Sequence, residues 1–199
     1  MIQASPEASF DALFVVSEVS GERGGISLSA VQIFIYLACL LGLYDRKPVA
    51  SWGYTFFSTP ASSPFSLELF HAVEFLKSRH LLASNEDKLQ ITETGKRELK
   101  RWLELGRFKD RIPYLRGSTG ASAAMPVSSV EEGVSHEPHL ARAVHLDVPQ
   151  ELLEDANLTQ VYDQFAVLKT TLGNDIPDYM VPAVVWLSFL LEQASSAGS

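Results

Sequence analysis

The sequence predicts a mainly α chain in which a small β-hairpin is held between helices and a further helical unit follows. Three observations predict it. Residues 63–105 read in the order helix, hairpin, helix; residues 117–138 are crowded with Gly, Ser, Thr, Ala and Pro; and two strongly apolar helical stretches come after them. With 199 residues, 21.9 kDa and 46% apolar residues, the chain has enough material for a real core.

"FDALFVVSEV" predicts a short apolar helix stopped by Gly21 and the Gly24-Gly25 pair. Ser27 or Ser29 then offers an N-cap for a second helix inside the nineteen-residue uncharged run from Ile26 to Tyr44. That run is long enough to test as a membrane span. Its Ser27, Ser29 and Gln32 and the polar hairpin unit that follows argue for a central core helix instead. Being apolar on every side from Ile33 to Leu43, this helix must be covered all round, by the first helix and by the C-terminal unit or a second subunit.

Beyond Pro48, the aromatic "WGYTFF" predicts a strand. Ser63 is expected as N-cap, with Pro64 at the first helical position, of a third helix whose Phe65, Leu69, Ala72, Val73 and Leu76 mark a buried face. "LLASNEDKLQIT" then gives an apolar strand, a polar turn at Ser84–Asp87 and a strand from Lys88 to Thr92. Thr92 can cap a basic helix that turns Leu99, Trp102 and Leu103 inward. Helix, hairpin and helix in this order define a winged helix-turn-helix, with the hairpin as the wing.

Residues 117–145 are expected to be a flexible linker, because 117–138 holds fourteen Gly, Ser, Thr, Ala or Pro residues in twenty-two. They separate a winged-helix domain over 1–116 from a helical assembly unit over 146–199. In the latter, Asn157 and Gln160 form a capping-box pattern, Val161, Phe165, Leu168 and Leu172 fall at helical spacing, and Gly173 ends the helix. "VPAVVWLSFLLEQ" supplies a second helix that presents Val185, Trp186 and Phe189. Two apolar helices need cover, and these seven residues are the candidate partner-binding set.

Charge is uneven. The formal total is −8, yet residues 77–116 hold eleven basic and six acidic residues, while 125–199 hold two and eleven. Any nucleic-acid contact therefore belongs to the middle of the chain. Lys77, Arg79, Lys88, Lys96, Arg97, Lys100 and Arg101 are the candidates for DNA-backbone contact. The first two turns of the third helix, which would meet base edges, carry no Lys or Arg, which argues against a sequence-reading repressor.

Enzyme motifs are missing: there is no G-x-S-x-G, no G-x-x-x-x-G-K-[ST] and no H-E-x-x-H. The single Cys39 lies in the apolar run and is expected as a core residue, in a reducing, cytoplasmic setting. His136, Glu137, His139 and His145 have no helical i, i+4 histidine pair and read as a solvated loop; no metal or cofactor is expected.

"LQITETGKREL" resembles the end of the wing in MarR- and PadR-type regulators. The succession "YLACLLGL", "WGYTFF", "SPFSLEL" and "LQITETG", over about residues 28–105, resembles small winged-helix accessory, or middle, components of Lamassu-like ABC/SMC-ATPase defence systems and, more distantly, Panacea-type antitoxin domains. Ser63 stands where their turn into the third helix usually has glycine. The resemblance implies a non-enzymatic subunit that docks on an SMC/ABC-like ATPase, with or without a nuclease subunit, as the winged helix of a kleisin does. The alternatives are a transcriptional regulator that dimerises through the C-terminal helices, and an antitoxin that neutralises a partner toxin.

Overall fold

The computed structural model describes residues 4–19, 24–146, 149–154, 158–173, 176 and 178–197. Its order is α1 (Pro6–Val19), β1 (Ile26–Ser27), α2 (Leu28–Tyr44), β2 (Phe57–Ser58), β3 (Pro64–Phe65), α3 (Leu67–Ser78), β4 (Leu82–Asn85), β5 (Lys88–Ile91), α4 (Glu93–Glu104), α5 (Ile112–Ala124), α6 (Val127–Ser135), α7 (Pro138–His145), α8 (Thr159–Leu172) and α9 (Met180–Ala197). The chain is mainly helical, with a small antiparallel sheet in the order β1-β5-β4 and a two-stranded ribbon, β2-β3.

The uncharged run forms α2, the axis of the core. Ser27 caps it by accepting from the Ala30 amide at 3.0 Å, and every residue from Ala30 to Tyr44 is buried. Helices α1, α5, α6, α8 and α9 surround it, so an all-round apolar helix is satisfied within one chain. Among the described residues, no helix is long and apolar enough to cross a membrane.

The hairpin follows its sequence closely. Leu82 pairs with Ile91 and Asn85 with Lys88, and Glu86 and Asp87 both take positive φ, 47° and 63°, to make the tight turn. Thr92 caps α4 by accepting from the Gly95 amide at 2.9 Å. Gly95 is required for space: a side chain there would run into the Leu81 carbonyl and sit 2.8 Å from Ile91 Cγ1. That contact gives the glycine of "ITETG" a packing role.

Three expectations are corrected. "WGYTFF" is largely not a strand: a 3-10 turn covers Val49–Trp52, and only Phe57 of that stretch is in β2. The third helix begins later than expected. Pro64 and Phe65 are in β3, and Ser66, not Ser63, is the N-cap, accepting from the Leu69 amide at 3.4 Å. A proline at the start of a short edge strand loses no ladder donor that the partner needs. The Ser66 amide itself donates to the buried Gln32 Oε1 at 2.5 Å, which pins the start of α3 to α2.

The largest correction concerns the linker. Residues 117–145 lie in α5, α6 and α7, with Gly117, Ser118, Thr119, Ala121, Val130, Gly133, Val134, Leu140 and Ala143 buried. The small residues serve close packing, because Gly117 and Gly120 lie against Tyr179 and Met180, and Gly133 against Leu187. The C-terminal helices accordingly pack onto the N-terminal unit, α9 on α5 and α6 and α8 on α2. The segment after α7 joins them, with the Ser58 amide donating to Gln150 O at 2.9 Å and the Leu152 amide to Phe56 O at 2.8 Å. Asn157, the expected cap of α8, lies outside the described residues; Gly173 does end that helix, at φ 90°.

Candidate functional site

Polar groups buried in the core hold the outer faces in place. Asp11 is fully buried in α1 and accepts from Arg111 Nε and Nη2, each at 2.7 Å, in a bidentate pair. Tyr54 also donates to Asp11, Trp52 Nε1 donates to Tyr54 Oη at 2.9 Å, and Arg111 Nη2 reaches Trp52 O at 3.0 Å while its guanidinium lies 4.6 Å from the Trp52 ring. Burial pushes the Asp11 carboxyl up, against the pull of Arg111 and Tyr54. Burial works against the Arg111 charge too, but the adjacent carboxylate more than offsets it and holds the guanidinium protonated. The hollow beside this group, about 380 Å³ and lined by Trp52, Arg107, Arg111 and Tyr114 among others, has its two arginines already paired, Arg107 with Glu7 at 2.6 Å.

Glu137 is also fully buried. It caps α7, accepting from the His139 and Leu140 amides at 2.9 and 2.7 Å, and receives the Tyr36 hydroxyl at 3.1 Å. Burial pushes its carboxyl up, opposed by those donors. His139 donates through Nδ1 to Leu152 O at 3.1 Å, since a carbonyl only accepts. The solvated-loop expectation is thereby corrected for this pair, because the segment turns inward to cap a helix. Among the described residues no group of three or more His, Cys, Asp or Glu is placed to hold a metal ion. Cys39 is buried, as expected, and burial pushes its thiol well up.

A third cluster latches the C-terminal helices. Asp45, at the end of α2, accepts from Tyr114 at 3.0 Å, from Tyr179, and from Lys169 Nζ at 3.4 Å; the same Nζ donates to Tyr44 O at 3.0 Å. Partial burial acts to raise the Asp45 carboxyl, but the donors from Tyr179, Tyr114 and Lys169 outweigh it and hold it below its ordinary 3.8. A carboxylate depressed in the fold contributes stability above its unfolded pKa, and that contribution is lost as pH falls through the folded value. Acid titration below pH 4 is therefore expected to loosen α8 and α9 first. Asp45→Asn should flatten this part of the pH dependence, read by hydrogen exchange of α9 amides at pH 3 and 6.

The candidate partner-binding residues divide. Val161, Phe165 and Trp186 are buried inside the chain, with the Phe165 ring 5.8 Å from that of Tyr44 and 4.9 Å from that of Trp186. They are corrected from partner surface to core, because their apolar faces find cover on α2 and on each other. Leu172 is half-buried against the same core and Leu168 is 9% exposed. Val185 and Phe189 remain exposed, at 39% and 41%.

The cations are less free than their number suggests. Lys77 pairs with Glu74 at 2.8 Å, Lys96 with Glu93 at 2.7 Å and Arg101 with Glu98 at 3.0 Å, all i, i+3 surface pairs. Arg97 reaches Thr94 Oγ1 at 3.4 Å. Arg79, Lys88 and Lys100 are exposed without an ion-pair partner among the described residues. Lys96, Arg97, Lys100 and Arg101 share the solvent side of α4, whereas Lys88 sits at the hairpin turn and Arg79 at the end of α3.

One exposed face escaped the sequence reading. α3 turns Leu67 (52% exposed), Phe70 (37%) and Phe75 (40%) to solvent, and Phe57 of β2, which pairs with Phe65, is exposed as well. The Phe65 and Phe70 rings lie 6.5 Å apart, so ribbon and helix form one aromatic surface. The signal was present as apolar residues on both sides of α3, more than one buried face uses. Comparison with protein-family models, with curated proteins and with solved structures finds no match for this chain.

Proposed function

We propose that this chain is a winged-helix docking subunit of a larger assembly, in which α3 is the helix that a DNA-binding relative would present to the major groove, the β4–β5 hairpin is the wing, and α3 is turned to protein binding. The observation that carries the reading is the outward face of α3. It offers Leu67, Phe70 and Phe75 where a base-reading helix needs hydrogen-bonding or cationic side chains, and its one lysine or arginine, Lys77, is in the last turn and paired to Glu74. The sheet order β1-β5-β4 and the cap at Thr92 support the winged-helix reading.

The resemblance to accessory components of Lamassu-like systems supplies the partner class: an SMC/ABC-like ATPase with or without a nuclease. The α3 face docks on the ATPase, as a kleisin winged helix does. Arg97 and Lys100, with Lys88 in the wing, are the exposed cations that would touch phosphates of DNA held by that ATPase without reading sequence. The catalytic steps reside in the other chains.

The test is affinity purification from the native host with mass spectrometry. A large coiled-coil ATPase should be recovered with the wild-type chain, lost with Leu67→Glu/Phe70→Glu and retained with Arg97→Glu/Lys100→Glu. If the chain is instead recovered alone, as a dimer that binds its own promoter with base-pair selectivity, it is a transcriptional regulator and the docking reading fails. Recovery with a small toxin whose activity it blocks makes it an antitoxin.

A further inference from the structure

A second exposed apolar surface lies between α8 and α9. Their inner sides pack on α2, α5 and α6, while the outer side leaves a hollow of about 380 Å³. Leu168 and Trp186 form its floor; Val167 (68% exposed), Val185 and Phe189 form its walls, and Val181, also exposed, lies one turn before Val185. The Trp186 indole N–H, the floor's one strong donor, is spent within the chain on Gln164 Oε1 at 2.8 Å. The floor therefore offers a ligand an apolar ring and no unmet polar atom.

Carboxylates stand at both ends of the hollow. Asp163 borders it on α8, and Glu192 of α9 lines an adjoining depression that shares Phe189. A separate hollow that shares Asp163 holds Arg46 and Lys169, the latter turned to Tyr44 O and Asp45. Val181, Val185 and Phe189 follow at i, i+4 and i+8, roughly 12 Å of helix at 1.5 Å per residue, which matches two to three turns of an incoming helix.

We propose that this hollow is a docking site for an amphipathic helix of a partner protein, with apolar anchors over two to three turns flanked by lysine or arginine. Two helices with an apolar cleft between them receive a third by seating its side-chain ridge in that cleft, and carboxylates on the rim select cationic flanks. A second copy of this chain fits less well, since a symmetric pair would bring the same acidic rim against itself. The chain's own basic helix, α4, is committed, with Gly95 and Leu99 buried and α1 against it. The site is independent of the α3 face.

A phage-displayed library of helix-forming 16-residue peptides, with anchor and flanking positions randomised, would be panned against the full chain. Enriched peptides should carry apolar residues at i, i+3 or i+4, and i+7, with Lys or Arg beside them. Measured by fluorescence anisotropy, the affinity of one such peptide should fall at least tenfold in Val185→Glu and in Val167→Glu. It should fall a few-fold in Asp163→Asn/Glu192→Gln and stay unchanged in Phe70→Glu. Val167, the most exposed wall residue, keeps the test valid if the Val185 variant melts. Enrichment of neutral or acidic flanks, or binding indifferent to both valine variants, overturns the proposal. So does a concentration-dependent dimer that Val167→Glu abolishes, which would assign the hollow to a second copy.

Discussion

Gly117→Val is expected to destabilise the fold by about 3 kcal/mol, the upper part of the range for overpacking a tight contact, because nothing at this contact can move aside cheaply. A Cβ at position 117 would overlap Tyr179 Cβ and approach the Tyr179 carbonyl carbon at 2.8 Å, so the obstacle is backbone and the first side-chain carbon, not a ring that swings away. Truncating Tyr179 to alanine therefore gives no relief. The melting temperature should fall by roughly 6–12 °C for a chain of this size, with α9 protection lost in hydrogen exchange. Gly120→Ala should be milder, since the neighbouring Met180 is 3.3 Å away and flexible. Gly106→Ala, with no heavy atom within 4 Å, should change stability by less than about 0.5 kcal/mol. Equal effects at positions 106 and 117 would show that α9 does not pack on α5 as described.

The same glycine shows where local reading stops. "GSTGASAA" has the composition of a flexible linker, because Gly and Ser are weak helix formers and no apolar period is visible. What makes it a helix is a neighbour sixty residues away, α9, whose close approach requires small side chains; tertiary packing overrides propensity and leaves no periodic trace. The hairpin and α4 were legible for the opposite reason: alternation, turn and cap all lie within a dozen residues, and Thr92 caps the helix the sequence assigned to it. Ser27 and α2 were legible too, including the need for cover on every side. Misplacing the start of α3 at Ser63 came from two serines three residues apart, either able to cap; the buried Gln32 decides for Ser66, and Gln32 is thirty-four residues distant. Val161, Phe165 and Trp186 look identical in sequence whether they meet a partner or α2. The buried pairs were missed because their members are about a hundred residues apart. One faint signal existed in Asp11, a lone charge in the middle of "FDALFVV" that a helix facing the core cannot leave unpaired.

That pairing leads to the other large effect. Arg111→Met is expected to cost about 3–5 kcal/mol, since it leaves a fully buried carboxylate with only Tyr54 as donor and also removes the Arg111 donor to Trp52 O. The loss is mostly the penalty of an uncompensated charge, so it should depend on pH in a defined direction. With Arg111 gone, burial is opposed only by the Tyr54 hydroxyl and raises the Asp11 carboxyl further, and the folded variant keeps a proton that the unfolded chain has released above about pH 4. A fold that binds more protons than its unfolded state loses stability as pH rises, so urea denaturation should show the variant more impaired at pH 8 than at pH 5. Removing the two charges and the hydroxyl distinguishes charge from packing. Asp11→Leu/Arg111→Met/Tyr54→Phe takes away the carboxylate, its counter-ion and the hydroxyl that would lose its acceptor; it leaves the buried Trp52 indole N–H without its acceptor, so it should recover part of the stability lost in the single variant while erasing the pH slope. Recovery would mean that the pair tolerates burial without being the source of the fold's stability, which then rests on the apolar cover of α2. If the triple variant is as unstable as Arg111→Met, the guanidinium acts chiefly through its stacking on Trp52 and its hold on the chain before α5, and the electrostatic account fails.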